Sequence, residues 1–211
     1  MGKRSDYGRV ERDSYETPAS AVEWLLPWLR PRTQFFEPCV GAGKLAGHLQ
    51  SAGHVLVGSS DLPVDARSAH YDIPPGAVII TNPPYWSRPE DLHPLICNLS
   101  NQCPAWLLLP GNWPFNLGSA ELVGQRCRLI VPAGRPKWIP NSPHSAMDDA
   151  AWYAFGCPDP WNVTRFIPRH ERAANRLIST NSSKFRGKSG VREEIDENTL
   201  LEAMPDFIPF L

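Results

Sequence analysis

The sequence predicts an α/β fold, a mixed seven-stranded sheet with helices on both faces, and three observations carry that prediction. Runs such as Ala77-Val78-Ile79-Ile80 and Ala105-Trp106-Leu107-Leu108-Leu109 are continuously apolar, as strands buried on both faces are. Segments with apolar residues at helical spacing lie between several of these runs, the order that winds helices over a sheet. A turn with two glycines, Gly41 and Gly43, stands between the first predicted strand and the next helix, where doubly wound folds bring backbone close to a ligand.

The 211 residues fit one domain of ordinary size with appendages. Formal charge is −1, so bulk electrostatics does not announce a nucleic-acid binder, although local patches can. A hydrophobic fraction of 42%, including eight Trp, is ample for a core, and 23 Pro imply many enforced turns. The five cysteines, Cys39, Cys97, Cys103, Cys127 and Cys157, lack CxxC spacing and read as reduced, mostly buried thiols. With no secretory signal and no apolar stretch of membrane-spanning length, the expected location is the cytosol.

Taken in order, residues 1–14 are polar and read as a mobile arm. Tyr15-Glu16-Thr17-Pro18 follows, and Val22, Leu25, Leu26 and Leu29 then predict a helix with Thr17 as N-cap and Pro18 in its first turn. Gln34-Phe35-Phe36 is the first core strand. It leads through Glu37-Pro38 and the glycine turn into a helix starting near Leu45. Lys44 invites a phosphate-loop reading, but Leu45 stands where GxxxxGK[ST] needs a hydroxyl, and the upstream glycine is missing. His54 to Ser60 is the second strand and ends at Asp61, where dinucleotide folds place a ribose-binding carboxylate; Asp65 competes for that role. His70 to Ile73 is a short third strand or its remnant, with Asp72 either capping or receiving an amino group.

The run to Ile80 ends in Thr81-Asn82-Pro83-Pro84-Tyr85-Trp86. Two prolines fix the backbone and remove two donors, so the chain leaves the sheet rigidly and holds Asn82 and Tyr85 at the strand's carboxyl end. A helix over Pro89 to Leu99, a strand over Ala105 to Leu109, a loop around Trp113 and a short helix near Ser119 to Gly124 come next. Arg128 to Val131 and Ala150 to Phe155 are the last two strands, expected as an antiparallel hairpin at one sheet edge. From Arg165 to Arg192 there are eight Lys or Arg and one acid, and from Glu193 to Asp206 six acids. That composition reads as a solvated tail, giving an arm over 1–14, a folded domain over 15–168 and a tail over 169–211.

Tyr15-x-Thr17-Pro18, Glu37-Pro38-x-x-Gly41-x-Gly43, Asp61, Asp72 and Asn82-Pro83-Pro84-Tyr85, in that order, resemble S-adenosylmethionine-dependent DNA adenine-N6 methyltransferases, in particular the small bacteriophage type. Arg135-Pro136-Lys137-Trp138 and Asp148 to Tyr153 resemble the phage proteins' later loop and final strand, so the likeness covers about residues 13–160. The resemblance implies a Rossmann-like class I methyltransferase fold and S-adenosylmethionine as cofactor. It implies Asn82, Pro83 and Tyr85 as catalytic residues, with Pro84, Trp86 and Arg135 toward the substrate. It further implies Gly41 and Gly43 along the cofactor's methionine part, Glu37 at its amino group, Thr17 over its carboxylate, Asp61 on the ribose and Asp72 on the adenine. The implied partner is duplex DNA with the target base flipped out, with a protein partner or a second copy as further possibilities. RNA adenine or protein glutamine is the alternative acceptor, and a catalytically inactive binding protein the alternative class. The chain has no spare block for a separate recognition domain, which leaves the Trp113 region, the loop from Arg135 to Ser145 and the basic tail to touch DNA.

Overall fold

The computed structural model describes residues 15–84, 89–139, 148–157 and 163–166. The expected arm over 1–14 and tail over 169–211, together with Tyr85 and Trp86, lie outside those residues. Seven strands form one sheet: β1 (Gln34–Glu37), β2 (Val55–Ser59), β3 (Val78–Thr81), β4 (Ala105–Pro110), β5 (Cys127–Gly134), β6 (Ala150–Phe155) and β7 (Arg165–Phe166), in the order β2-β1-β3-β4-β6-β5-β7. The pairs β1–β2, β1–β3, β3–β4 and β5–β7 are parallel, and β6 runs antiparallel to both β4 and β5.

Alternation along the central strands divides the core between two faces. Phe36, Ile79, Leu107 and Tyr153 join one cluster with Leu95, Ile96 and Leu99 of helix α3 (Pro89–Gln102). The intervening Trp152 points the other way and donates its indole N–H to the Ala21 carbonyl of helix α1 (Ala19–Val22) at 2.8 Å. Helix α2 (Lys44–Ser51) packs beside α1, and helix α4 (Leu117–Arg126) beside α3. Helices therefore cover both faces of a mixed seven-stranded sheet, a Rossmann-like α/β fold.

The membership of the sheet differs from the expectation in two places. His70–Ile73 forms no strand; helix side chains hold its Tyr71 N–H and the carbonyls that precede it. The Tyr71 N–H donates to the Gln102 side chain at 2.9 Å, and Asn98 donates to the Ala66 and Ala69 carbonyls. Arg165–Phe166, where the basic run begins and no strand is expected, pairs with Leu129 and Ile130 as β7. The last two long strands are antiparallel neighbours as expected, but β6 inserts between β4 and β5 rather than ending the sheet.

The first helix also ends early. Pro18, not Thr17, is the N-cap, its carbonyl accepting from Ala21 at 2.9 Å without any side-chain cap. Pro27 has no N–H for continuing α1, and the chain resumes as a 3-10 turn over Leu26–Trp28. Trp113 does not face solvent: it is buried edge-on against Tyr153 and Phe155, leaving Phe115 and Leu117 exposed beside it. All five cysteines are free, with Cys127 buried, Cys39, Cys97 and Cys103 half-buried, and Cys157 exposed. Among the described residues no helix is long and apolar enough to cross a membrane.

Candidate active site

Because β2 and β3 flank β1, the chain departs in opposite directions on its two sides, and a crevice opens beyond the carboxyl ends of these strands. A cleft of about 570 Å³ occupies this position, in the range of small-molecule sites. Thr17, Glu37, Gly41, Asp61, Asn82 and Pro84 line it, so the fold brings together residues spread over most of the first 84 positions. Gly43, Asp72, Pro83 and Arg135 are not on the lining. Asp72 is exposed on the segment that failed to become a strand. Arg135 is exposed and lies 3.5 Å from Asp149.

Glu37 is the last residue of β1 and is only 1% exposed. One of its oxygens, Oε2, has no hydrogen-bond partner although it is buried. Burial pushes its carboxyl up to about 8, and the nearby Glu16 and Asp61 charges add to the rise, while a hydrogen bond with the Ala46 backbone opposes it. The strand end is tied to its neighbour by Ser60 N–H to the Glu37 carbonyl at 2.9 Å and Val40 N–H to the Ser60 carbonyl at 3.0 Å. Gly58 is needed for this pairing: a Cβ there would lie 2.8 Å from the Phe36 ring.

The turn after β1 reverses direction through Gly41 and Gly43, whose φ values of 50° and 80° favour glycine. Gly43 is the N-cap of α2, its carbonyl accepting from Gly47 at 2.9 Å. Gly43 thus shapes the turn without facing the cleft. The Glu16 carboxylate reaches into the same turn and accepts from the Ala42 N–H at 3.3 Å.

At the end of β2, the two candidate acids separate by their partners. Asp65 is engaged by the Arg67 guanidinium through two contacts of 2.9 Å and by the Arg67 N–H, and this pairing holds its carboxyl below the usual range. Asp61 makes no side-chain hydrogen bond or ion pair among the described residues. The exposed apolar side chains of Leu62 and Val64 stand beside it on the lining.

On the other side, β3 is buried throughout and delivers Asn82 half-buried at its end. The Asn82 amide nitrogen donates to the Tyr15 carbonyl at 3.1 Å, while its oxygen, Oδ1, is buried with no partner. A carbonyl only accepts, so this contact fixes the orientation of the amide and leaves the oxygen as the open acceptor. The next residue, Pro83, is buried, and Pro84 returns to the lining. The Tyr15 ring sits 6.4 Å from the Trp138 ring, which brings the loop after β5 to the edge of the cleft.

Residues Tyr15 to Thr17 therefore form a strap across the cleft, touching the glycine turn through Glu16 and the acceptor side through Tyr15. The sequence pointed to Thr17 but passed over Glu16, the unassigned position inside Tyr15-x-Thr17-Pro18. An acid directly before Thr17, the residue the resemblance set over the cofactor's carboxylate, was the available signal. Cys39 was likewise missed as a lining residue; burial pushes its thiol up to about 12, so it is a neutral wall.

No family model matches the chain, and no curated protein matches it. Among solved structures, the chain is similar to a putative class I S-adenosylmethionine-dependent methyltransferase from Listeria monocytogenes, at 12% identity over 82% of this chain and 72% of that one, with a TM-score of 0.47. It is similar to a putative RNA methyltransferase from Pyrococcus horikoshii, at 16% identity over 74% of this chain and 93% of that one, with a TM-score of 0.47. A further likeness is to the type IIG restriction endonuclease BpuSI, at 12% identity over 81% of this chain and 30% of that one, with a TM-score of 0.49.

Proposed function

We propose that the chain transfers a methyl group from S-adenosylmethionine to the exocyclic N6 of adenine in DNA. The observation that carries this reading is the Asn82 amide, anchored through its nitrogen by the Tyr15 carbonyl and presenting an unpaired buried oxygen at the end of β3. The sequence around it, Asn82 to Tyr85, resembles the acceptor motif of amino-group methyltransferases, and the cleft beside it supports a cofactor site.

The cofactor fits the residues present. The ammonium of its amino-acid end suits the orphaned oxygen of Glu37, the glycine turn offers bare backbone, and Asp61 is free to accept from ribose hydroxyls. Leu62 and Val64 supply apolar surface for a purine next to that carboxylate. S-adenosylmethionine supplies an electrophilic methyl group when bound.

The work left to the protein is to make a poor nucleophile attack. The adenine amino nitrogen is planar because its lone pair is delocalised into the ring. With Asn82 Oδ1 accepting one N–H and the Pro83 carbonyl the other, the nitrogen is held toward pyramidal geometry and its developing positive charge is stabilised. An amide needs no change of protonation to accept, so this step carries no ionisation of its own. Tyr85 and Trp86 are assigned to stacking on the flipped base, and Arg135 to the substrate side, from the resemblance.

The test is uptake of labelled methyl from S-adenosylmethionine by purified duplex DNA, ribosomal RNA and protein offered separately. Incorporation into duplex DNA at adenine N6 is the expected result. Incorporation into RNA or protein with none into DNA overturns the substrate assignment.

A further inference from the structure

We propose that Glu16 is a second carboxylate of the donor site and that Glu16 and Glu37 together hold a primary ammonium group, the α-ammonium of the cofactor. This assignment rests on the cofactor reading above and deepens it with a residue on the strap rather than on the sheet. Three observations place it. The Glu16 carboxylate is already at the glycine turn, with Oε1 3.3 Å from the Ala42 nitrogen and 3.8 Å from where a Gly41 side chain would begin. Glu37 Oε2 is buried, lines the same cleft and has no partner. Arg67 is the one cationic side chain among the described lining residues, and it is bound to Asp65.

Two carboxylates converging on a cleft are unfavourable together unless a cation sits between them. An ammonium carries three N–H donors and no acceptor, which matches two carboxylates with an open oxygen. The influence of Glu16 is visible in Glu37, whose carboxyl is pushed up to about 8 by burial first and by the Glu16 and Asp61 charges after it, against a hydrogen bond with the Ala46 backbone. A cation placed between Glu16 and Glu37 offsets the cost of a buried charge and cancels the Glu16 repulsion, which favours ionised Glu37 when the ligand binds. Glu16 rests on the Ala42 N–H, at the turn that follows directly from Glu37.

The experiment is titration calorimetry on the full chain with two thioether nucleosides, S-adenosylhomocysteine and its analogue with hydrogen in place of the α-amino group. The wild type is expected to prefer the amino-bearing ligand by about tenfold or more, and Glu16→Gln to lose most of that preference while binding the deaminated analogue as before. In wild type at pH 7, titrations in two buffers of different ionisation enthalpy are expected to show a proton released with the amino-bearing ligand and not with the other. An unchanged preference in Glu16→Gln, or equal loss of both ligands, overturns the role of Glu16. Failure of the wild type to bind either nucleoside overturns the cofactor reading itself. If Glu16→Gln does not fold, absence of proton release in the wild type overturns the proposal.

Discussion

Around Glu37 and Gly41 the cleft is made of charge and of backbone that favours glycine, whereas around Asn82 it is made of a neutral amide and a proline. Both sides end a buried parallel strand, β1 and β3, and both leave a buried oxygen without a partner. They differ in what can satisfy that oxygen. A carboxylic acid with its pKa raised by burial accepts a cation and changes protonation in doing so. An amide clamped through its nitrogen accepts a neutral N–H and changes nothing. The contrast follows the proposed chemistry, with a cationic ligand on one side and, on the other, an amino group that must stay unprotonated to attack.

The comparison breaks most directly at Asn82. Asn82→Ala is expected to lower the single-turnover transfer rate by about 100-fold or more, the scale of removing one transition-state hydrogen-bond partner, with cofactor affinity held within about threefold. Rapid-quench kinetics and calorimetry on the same preparation check both halves. A rate within a few-fold of wild type would remove Asn82 from the chemistry.

The charged side is next, and its signature is pH. Glu37 has a folded pKa of about 8 against an ordinary 4.5, so the folded state binds more protons than the unfolded state between these values. Stability is therefore full below about pH 4.5, falls as pH rises toward about 8, and is then flat with respect to this group, a total on the order of a few kcal/mol. Glu37→Gln is expected to flatten that slope and to raise the melting temperature at pH 8 relative to wild type. Thermal unfolding from pH 5 to pH 9 checks it, and parallel slopes in the two proteins would contradict the burial of an acid at this position.

Smaller effects sharpen the same division. Gly43→Ala forces a side chain onto φ 80° and is expected to cost about 1–2 kcal/mol of stability, measured by urea unfolding. A neutral result would mean that the turn relaxes out of the left-handed region. Arg135→Ala, breaking an exposed pair with Asp149, is expected to change stability by less than about 1 kcal/mol. If it lowers transfer to DNA while leaving stability alone, the substrate role assigned to Arg135 is supported; no effect on either returns it to an ordinary surface charge.

Much of this architecture was legible in the chain because the signals were local. The continuous apolar runs marked β3, β4 and β6, and the glycine turn after β1 and the prolines after β3 marked the two ends of the cleft. What escaped depended on contacts distant in sequence. At His70–Ile73 the contacts come from a helix about thirty residues away: Gln102 takes up the Tyr71 N–H, and Asn98 and Gln102 hold the Ala69 carbonyl just before it. A two-residue strand such as Arg165–Phe166, exposed on both residues, carries no periodicity to read. The pairing with Arg67 that distinguishes Asp65 from Asp61, and the reach of Glu16 to the glycine turn, are contacts no local pattern announces.

Sequencing of modified bases in DNA from cells expressing the wild-type chain or its Asn82→Ala variant tests the central claim most directly. The account predicts N6-methyladenine in the wild-type sample, at a shared short sequence context, and none above background with the variant. Unmethylated DNA from both, or the same marks from both, would contradict it.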